Sequence, residues 1–470
     1  MAARIARAQT SARIVTPMSA APSTGLKATM RPRHLVMMSL GSAIGAGLFV
    51  GSGVGIAAAG PAVLLAYLIS GAVILAVMRM LAEMVAADPN PGAFSYYAGK
   101  AMGQPAAFAL GWLWWIEFCL VVAAEATAAA QYLNGIFPSV APWVFALIAM
   151  VAFTASNLVH VGNFGELEFW FALIKVGFVV GFLILGAAFL LGLTSGTSPG
   201  LHNIVDVPFM PKGVSGVAGA LLVVIFAFGG IELMAVAAAE TADPQRSVAK
   251  AVRTILWRIL LFYMGAVTVM LLVLPWDSPE IEQAPFVAVL NAAGFPALAA
   301  AIAVVIIIAL LSSLNANLYG ASRMIFSLAE RGMAPAALHR TNSRGVPVSS
   351  VLATSVFGFV AVALNYFWGD AVLKALLNIV GSTLIVTWLA IIVSHLVLRR
   401  RAEREGTDLP LKMWGFPYLS WLTLAALLGI VLLGFTVPEV AAQLSATFLL
   451  TAALFVVGWL LDRRRISSAT

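Results

Sequence analysis

Runs of apolar residues long enough to cross a bilayer recur twelve times along this chain, and they leave it very few ways to fold. At 1.5 Å per residue, about 20 residues of helix span the hydrocarbon layer. Such runs fall near 34–58, 61–86, 105–133, 142–161, 167–193, 213–238, 254–275, 297–328, 348–367, 371–398, 413–436 and 443–461. Lipid cannot hydrogen-bond a bare amide or carbonyl, so segments of this length have to be helices that satisfy their own backbone. Composition agrees, since only 10% of the residues are charged, against roughly a quarter in soluble domains. The expected fold class is an all-α polytopic membrane protein with twelve transmembrane helices. The longest gaps between runs are about twenty residues, which leaves no room for a large soluble domain.

A formal charge of +7 would suggest a nucleic-acid surface on a soluble protein, but its placement here argues for orientation instead. Arg79, Lys100, Arg331, Arg340, Arg399 to Arg401, Arg404, Lys412 and Arg463 to Arg465 fall at the tail or in alternate loops. Asp206, Asp277, Glu280, Glu282, Asp370 and Glu439 fall in the opposite ones. The positive-inside rule then places both termini in the cytoplasm and the chain in the cytoplasmic (inner) membrane, and an even number of spans agrees. Residues 1–33 carry no acid and are rich in Ser, Thr, Ala and Arg. They read as a disordered cytoplasmic tail, although a transit peptide has a similar composition. The single Cys119 and the scattered His34, His160, His202, His339 and His395 give no metal-ligand spacing. Without a phosphate-binding loop either, the chain reads as a non-enzyme that needs no cofactor or metal. The lipid bilayer is its surroundings, and no nucleic acid or obligate protein partner is implied.

Glycines interrupt two of the runs. Gly41-Ser42-Ala43-Ile44-Gly45-Ala46-Gly47 lies inside the first, and Phe226-Ala227-Phe228-Gly229-Gly230-Ile231-Glu232 inside the sixth. Each glycine costs a helix roughly 1 kcal/mol relative to alanine, so these clusters predict two broken helices. Freed backbone persists at membrane depth only where it is buried in protein or lines a cavity, which points to a solute site near the bilayer midplane. The breaks lie about 185 residues apart and each opens a block of five runs. The chain therefore divides into repeats at 34–193 and 213–398, a basic loop at 399–412, accessory helices within 413–461 and a cytoplasmic tail at 462–470. With an odd number of spans per repeat, the second is inverted relative to the first, the geometry of alternating-access carriers. Two further pieces read as short non-spanning helices. One follows Asp88-Pro89-Asn90-Pro91-Gly92, and the other runs from Glu282 to Gly294 over the site; an ordinary connecting loop fits either place too.

The site can be sketched from the breaks. Amides of Gly45, Ala46 and Gly47, where the chain re-enters helix, can hold a carboxylate. Carbonyls of Ser42, Ala43, Phe226 and Ala227 can accept from an ammonium group, with Ile44 and Gly230 in the same unwound stretches. Neither break carries a pair of basic or acidic residues for a charged side chain, so the inferred substrate is a small zwitterion with a neutral side chain. Phe226 and Phe228 could close over it, or simply pack. Intramembrane ionisable residues are rare and informative: here they are Glu117, Glu125, Lys175 and Glu232. Each also fits a structural hydrogen bond or ion pair between helices. Lys175 lies too deep in its span to snorkel to the interface, which makes it the first candidate for proton coupling, with Glu232 next and Glu125 after it.

Motifs through most of the chain resemble the amino acid permease family of the amino acid–polyamine–organocation superfamily. They include GSAIGAGLFVGS at 41–52, MRMLAEM at 78–84, FGELEFWFALIKV at 164–176, FAFGGIEL at 226–233, AAETADPQRSVAKA at 238–251 and ASRMIFSLAERGMAP at 321–335. MRMLAEM and the LPLKMWGFPYLSW segment at 409–421 resemble GABA permeases, whereas the Glu117 position and the first break resemble proline-type members. The resemblance implies a leucine-transporter-like fold and proton-coupled uptake, with spans 1, 3, 6, 8 and 10 around the substrate. It also implies that Lys175 stands where sodium-driven relatives hold a cation, near Ser312 and Ser313. The family's usual Gly-Thr-Gly reads Gly45-Ala46-Gly47 here, which removes a side-chain hydroxyl but no backbone contact. The expected activity is secondary active import of a neutral amino acid by proton symport and alternating access. A GABA permease or exchanger of the same fold is the alternative within this class, and a channel or membrane receptor outside it.

Overall fold

The computed structural model describes residues 44–90, 92–159, 164–194, 200–232, 260–343, 345–369 and 371–469, with the side chains of 164–168 and 465–469 excepted. Ser42 and Ala43, and the stretch 233–259 that holds the AAETADPQRSVAKA motif, lie outside these residues. A helix lies within each of the runs read from the sequence, and no strand occurs among the described residues.

The first run is split into α1 (Ala46–Phe49) and α2 (Gly51–Ala59), joined through a 3₁₀ turn at Gly60–Ala62 to α3 (Val63–Ala87). Then come α4 (Ala93–Met102), α5 (Gln104–Ile136), α6 (Pro142–Val159), α7 (Phe164–Leu190), the single turn α8 (His202–Val205) and α9 (Gly213–Phe228). The second half holds α10 (Leu260–Val273), short α11 (Pro279–Gln283) and α12 (Pro285–Ala292), α13 (Pro296–Glu330), α14 (Val348–Trp368) and α15 (Ala371–Glu405). The last pair is α16 (Tyr418–Gly434) and α17 (Pro438–Ala469). Proline opens many of these helices, where its missing N–H costs nothing and its fixed φ already suits a helix.

Three boundaries correct the sequence reading. The loop expected at 399–412 begins only after Glu405, because Arg, Ala and Glu are good helix formers and Arg399 Nε pairs with Glu403 Oε1 at 3.0 Å, one turn on. The tail expected at 462–470 is helical as far as Ala469. The piece expected from Glu282 to Gly294 is two helices, separated at Ala284 ahead of Pro285. A proline disfavours helical φ/ψ in the residue before it.

Which faces point outward follows from side-chain spacing. Leu352, Val356 and Val360 expose one apolar stripe of α14, as do Leu449, Val456 and Leu460 on α17. Contiguous exposed apolar surface of this kind marks contact with lipid. Inside, α5 lies at the centre and glycines bring backbones together without intervening side chains. A Cβ at Gly47 would meet Ala227 Cα at 2.6 Å, one at Gly53 would fall on the Ile281 carbonyl, and one at Gly381 on the Leu222 carbonyl. The α11–α12 pair covers this end of the bundle, with the Phe286 ring edge-on or tilted against Phe49, Phe178 and Phe182 and Glu282 paired with Lys374.

At the other end the two GABA-permease-like motifs meet. Arg79 Nη2 donates to the Lys412 carbonyl at 2.8 Å and its guanidinium lies over the Trp414 ring. Buried Glu83 accepts from the Met413 amide and from Arg399 Nη1 at 3.2 Å, with His395 Nε2 at 3.3 Å. Beside them α4 is anchored by Tyr96 and Lys100 on the Asp88 carboxylate, at 2.9 and 2.6 Å. These charges sit where α3, α15 and the 406–417 segment converge, so the shared motif builds an end-piece of the bundle, away from the helix breaks.

Candidate functional site

At the first break, the chain bends at Ile44 and Gly45 before α1, which leaves the Ala46 amide without a partner in its own helix. Glu125, from the middle of α5, takes it: Ala46 N donates to Oε1 at 3.1 Å and Oε2 at 3.2 Å. Gly45 is required for this approach, because a Cβ there would coincide with the Glu125 carboxylate. One residue earlier, Ser313 Oγ on α13 donates to the Ile44 carbonyl at 3.5 Å and accepts from Lys175 Nζ on α7 at 2.7 Å. Lys175 is fully buried and also acts electrostatically on the Glu125 carboxylate.

At the second break, α9 stops at Phe228. Gly229 N returns to the Phe226 carbonyl at 2.9 Å, Gly229 is extended, and Gly230 adopts φ +90, a conformation that suits glycine best. Glu232 folds back so that Gly230 N donates to its Oε2 at 2.9 Å, while Trp388 Nε1 on α15 donates to its Oε1 at 2.7 Å.

A cavity lies between the breaks, lined by Gly45, Gly47, Glu117, Glu125, Phe226, Gly230 and Asn317 among others. Its free volume is about 20 Å³, room for roughly one water molecule and far too little for an amino acid. The site's own acids, Glu117 and Glu125, occupy the wall of this space. Glu117, which lines the cavity about two turns before Glu125 on α5, is held by threonine hydroxyls of α15; Thr387 Oγ1 stands 3.5 Å from Oε2. No basic side chain among the described residues lies within ion-pair distance of Glu117. An acid lining a cavity without a cation of its own is suited to receive one from a ligand. Among the described residues no group of His, Cys, Asp and Glu could hold a metal ion.

The sequence pattern of the family described as Amino acid permease matches residues 34–468. The chain belongs to the amino acid permease family. It is an amino acid transporter and a multi-pass membrane protein. This permease is 46% identical over 415 residues to the aromatic amino acid transport protein AroP of Corynebacterium glutamicum, covering 87% of its own length and 89% of that protein. It is 40% identical over 447 residues to the gamma-aminobutyric acid permease of Bacillus subtilis, covering 94% and 95%. In fold it is similar to the manganese transporter of Eremococcus coleocola in complex with an aromatic bis-isothiourea substituted compound, with TM-score 0.58, 16% identity and coverage of 92% and 94%. That likeness extends to the fold alone.

Of the residues the sequence singled out, the permease brings Gly45, Gly47, Glu117, Glu125, Phe226 and Gly230 to one cavity. Lys175, Ser313 and Ile44 form the hydrogen-bonded chain beside it, and Ser312 is buried next to Ser313. Ala46 is bound to Glu125, and Ala227 packs its backbone on Gly47. Phe228 points elsewhere: its ring stacks on Tyr263 at 5.6 Å and meets Tyr67 at 6.0 Å. Asn317, Thr387 and Trp388 were not foreseen. Asn317 lies one turn beyond Ser313 and donates to its carbonyl at 2.8 Å, so helical spacing from the serine pair would have found it. Nothing local in the sequence marks Trp388.

Proposed function

We propose that this permease imports a neutral, zwitterionic amino acid across the cytoplasmic membrane by proton symport. In this reading the two five-helix repeats are inverted, both termini are cytoplasmic, and alternating access exposes the cavity to each side in turn. The observation that carries the reading is the chain from Lys175 Nζ through Ser313 Oγ to the Ile44 carbonyl, which ties a buried cation to the backbone beside the cavity. When Lys175 is protonated it donates into this chain and holds α7, α13 and the first break together. Loss of the proton leaves a neutral amine, which loses the charge assistance of that bond and loosens its hold on the break. The coupling equals the difference in proton affinity between the two arrangements, since a group that binds protons equally in both shifts nothing. Substrate carboxylate takes the Ala46 amide in exchange for Glu125, and the carbonyls of Phe226 and Ala227 face the amine.

The test is uptake of labelled amino acids by proteoliposomes with and without an imposed pH gradient. Lys175→Ala is expected to lose gradient-driven accumulation by about tenfold or more while keeping exchange across the membrane. If the purified variant concentrates substrate with undiminished pH dependence, coupling passes to Glu232. A ω-amino acid is the second reading, favoured by Glu117 lining the cavity about two turns along α5 from Glu125, with no ion-pair partner among the described residues. The same uptake assay with GABA, phenylalanine and proline as competitors separates the two, since only a remote amine reaches both ends. Curated relatives carry both kinds of name, aromatic amino acid and gamma-aminobutyric acid.

A further inference from the structure

A second cavity, of about 370 Å³, lies on the outside of the bundle between α15 and α16. Its wall is one continuous face of α15: Val393, Leu396, Val397, Arg400, Arg401 and Arg404 line it, and their spacing of three, four and seven residues puts them on a single stripe. Along about 16 Å of helix that stripe changes from wholly apolar to wholly cationic. Trp421 and Leu424 on α16 form the opposite wall, one turn apart, and the Arg400 guanidinium lies 5.6 Å from the Trp421 ring.

The three arginines are exposed and have no carboxylate partner among the described residues, although acids are close at hand in sequence. Arg399, one residue earlier, takes both Glu83 and Glu403. Arg401 makes one hydrogen bond, from Nη1 to the Lys100 carbonyl at 3.3 Å. An orientation signal needs only an excess of positive charge near the end of a span. It does not need that charge gathered on one stripe above an apolar trough with an interfacial tryptophan opposite. The groove has the polarity profile of an amphiphile whose headgroup is anionic.

We propose that this groove is a binding site for an anionic phospholipid of the bilayer. Its phosphate is held by Arg400, Arg401 and Arg404, and an acyl chain lies along Val393, Leu396 and Val397 against Leu424. Guanidinium groups match phosphate oxygens in bidentate geometry, and basic pockets between helix ends select such headgroups.

The experiment uses the full chain, purified in detergent and reconstituted in vesicles of phosphatidylcholine, alone or mixed equally with phosphatidylglycerol. Lipid retained through re-extraction is measured by mass spectrometry, with the melting temperature read in parallel. The wild type is expected to retain phosphatidylglycerol over phosphatidylcholine, and each Arg→Gln change at the three positions to weaken that preference about fivefold. The pair Arg463→Gln and Arg464→Gln on α17 should leave it unchanged. Arg404→Gln, at the end of the stripe farthest from Val393, serves if the other single variants do not survive purification. Equal retention of the two lipids by the wild type would overturn the proposal, as would an undiminished preference in the arginine variants. Displacement of the lipid by glycerol phosphate or by an acidic peptide as readily as by a two-chain phosphatidylglycerol would overturn it too, since either means the trough contributes nothing.

Discussion

At the first interruption the amide of Ala46 is held by Glu125, a side chain 79 residues away on another helix; at the second, the amide of Gly230 is held by Glu232, two residues on. The first cap is borrowed and the second is local. Both Glu125 oxygens share a single N–H, so the bond survives if either one stays in place. The Glu232 oxygens serve two separate donors, the Gly230 amide and the Trp388 indole, and neither can be lost without stranding one. The first break is built to exchange its partner, the second to keep it.

The largest effect that would test this contrast comes from Gly45→Val. Its Cβ would occupy the place of the Glu125 carboxylate, and substrate binding to the correctly inserted protein is expected to disappear, read by equilibrium binding of a labelled amino acid. Full-affinity binding would remove the site from this break. Glu232→Gln comes next. An amide there must turn its NH₂ toward one of two donors, so stability should fall by about 1–3 kcal/mol, seen as a lowered melting temperature. Combining it with Trp388→Phe should cost less than the two changes summed, by about 1 kcal/mol, because the two residues share one bond; strict additivity would argue that they are not coupled. Smallest is Glu125→Gln, whose amide oxygen can still face Ala46. Its melting temperature should move by no more than about 1 kcal/mol's worth, and a loss as large as that of Glu232→Gln would erase the distinction between borrowed and local caps.

Sequence made the breaks themselves visible, because clustered glycines in membrane-length runs have few other uses. The Lys175 and Ser313 pairing was also within reach, since a lysine at that depth must find a partner and the family resemblance named the serines. Glu125 as the cap of the first break was hidden. Helical periodicity says which residues of α5 share a face, but not which neighbour that face meets. For Phe228 the sequence left closure and packing both open for a related reason: at the end of α9 its ring meets Tyr67 and Tyr263 from two other helices. MRMLAEM and LPLKMWGFPYLSW resembled GABA permeases, but Arg79, Glu83, Lys412 and Met413 are joined at the end of the bundle. Likeness in those motifs reports how the ends of α3 and α15 are tied to the 406–417 segment.

Contacts made through glycine also set how tightly individual helices are joined. Gly47 on Ala227, Gly53 on Ile281 and Gly381 on Leu222 leave less than a methyl group of clearance, so α1, α2, α9, α11 and α15 are laminated into one stiff stave. The partners across the cavity reach it differently. Glu125, Lys175 and Ser313 extend from α5, α7 and α13 through side chains that can change rotamer and let go one bond at a time. The laminated stave therefore meets these helices at the breaks through side chains, Tyr132 Oη on the Phe49 carbonyl at 3.0 Å among them, where within itself it is joined backbone to backbone.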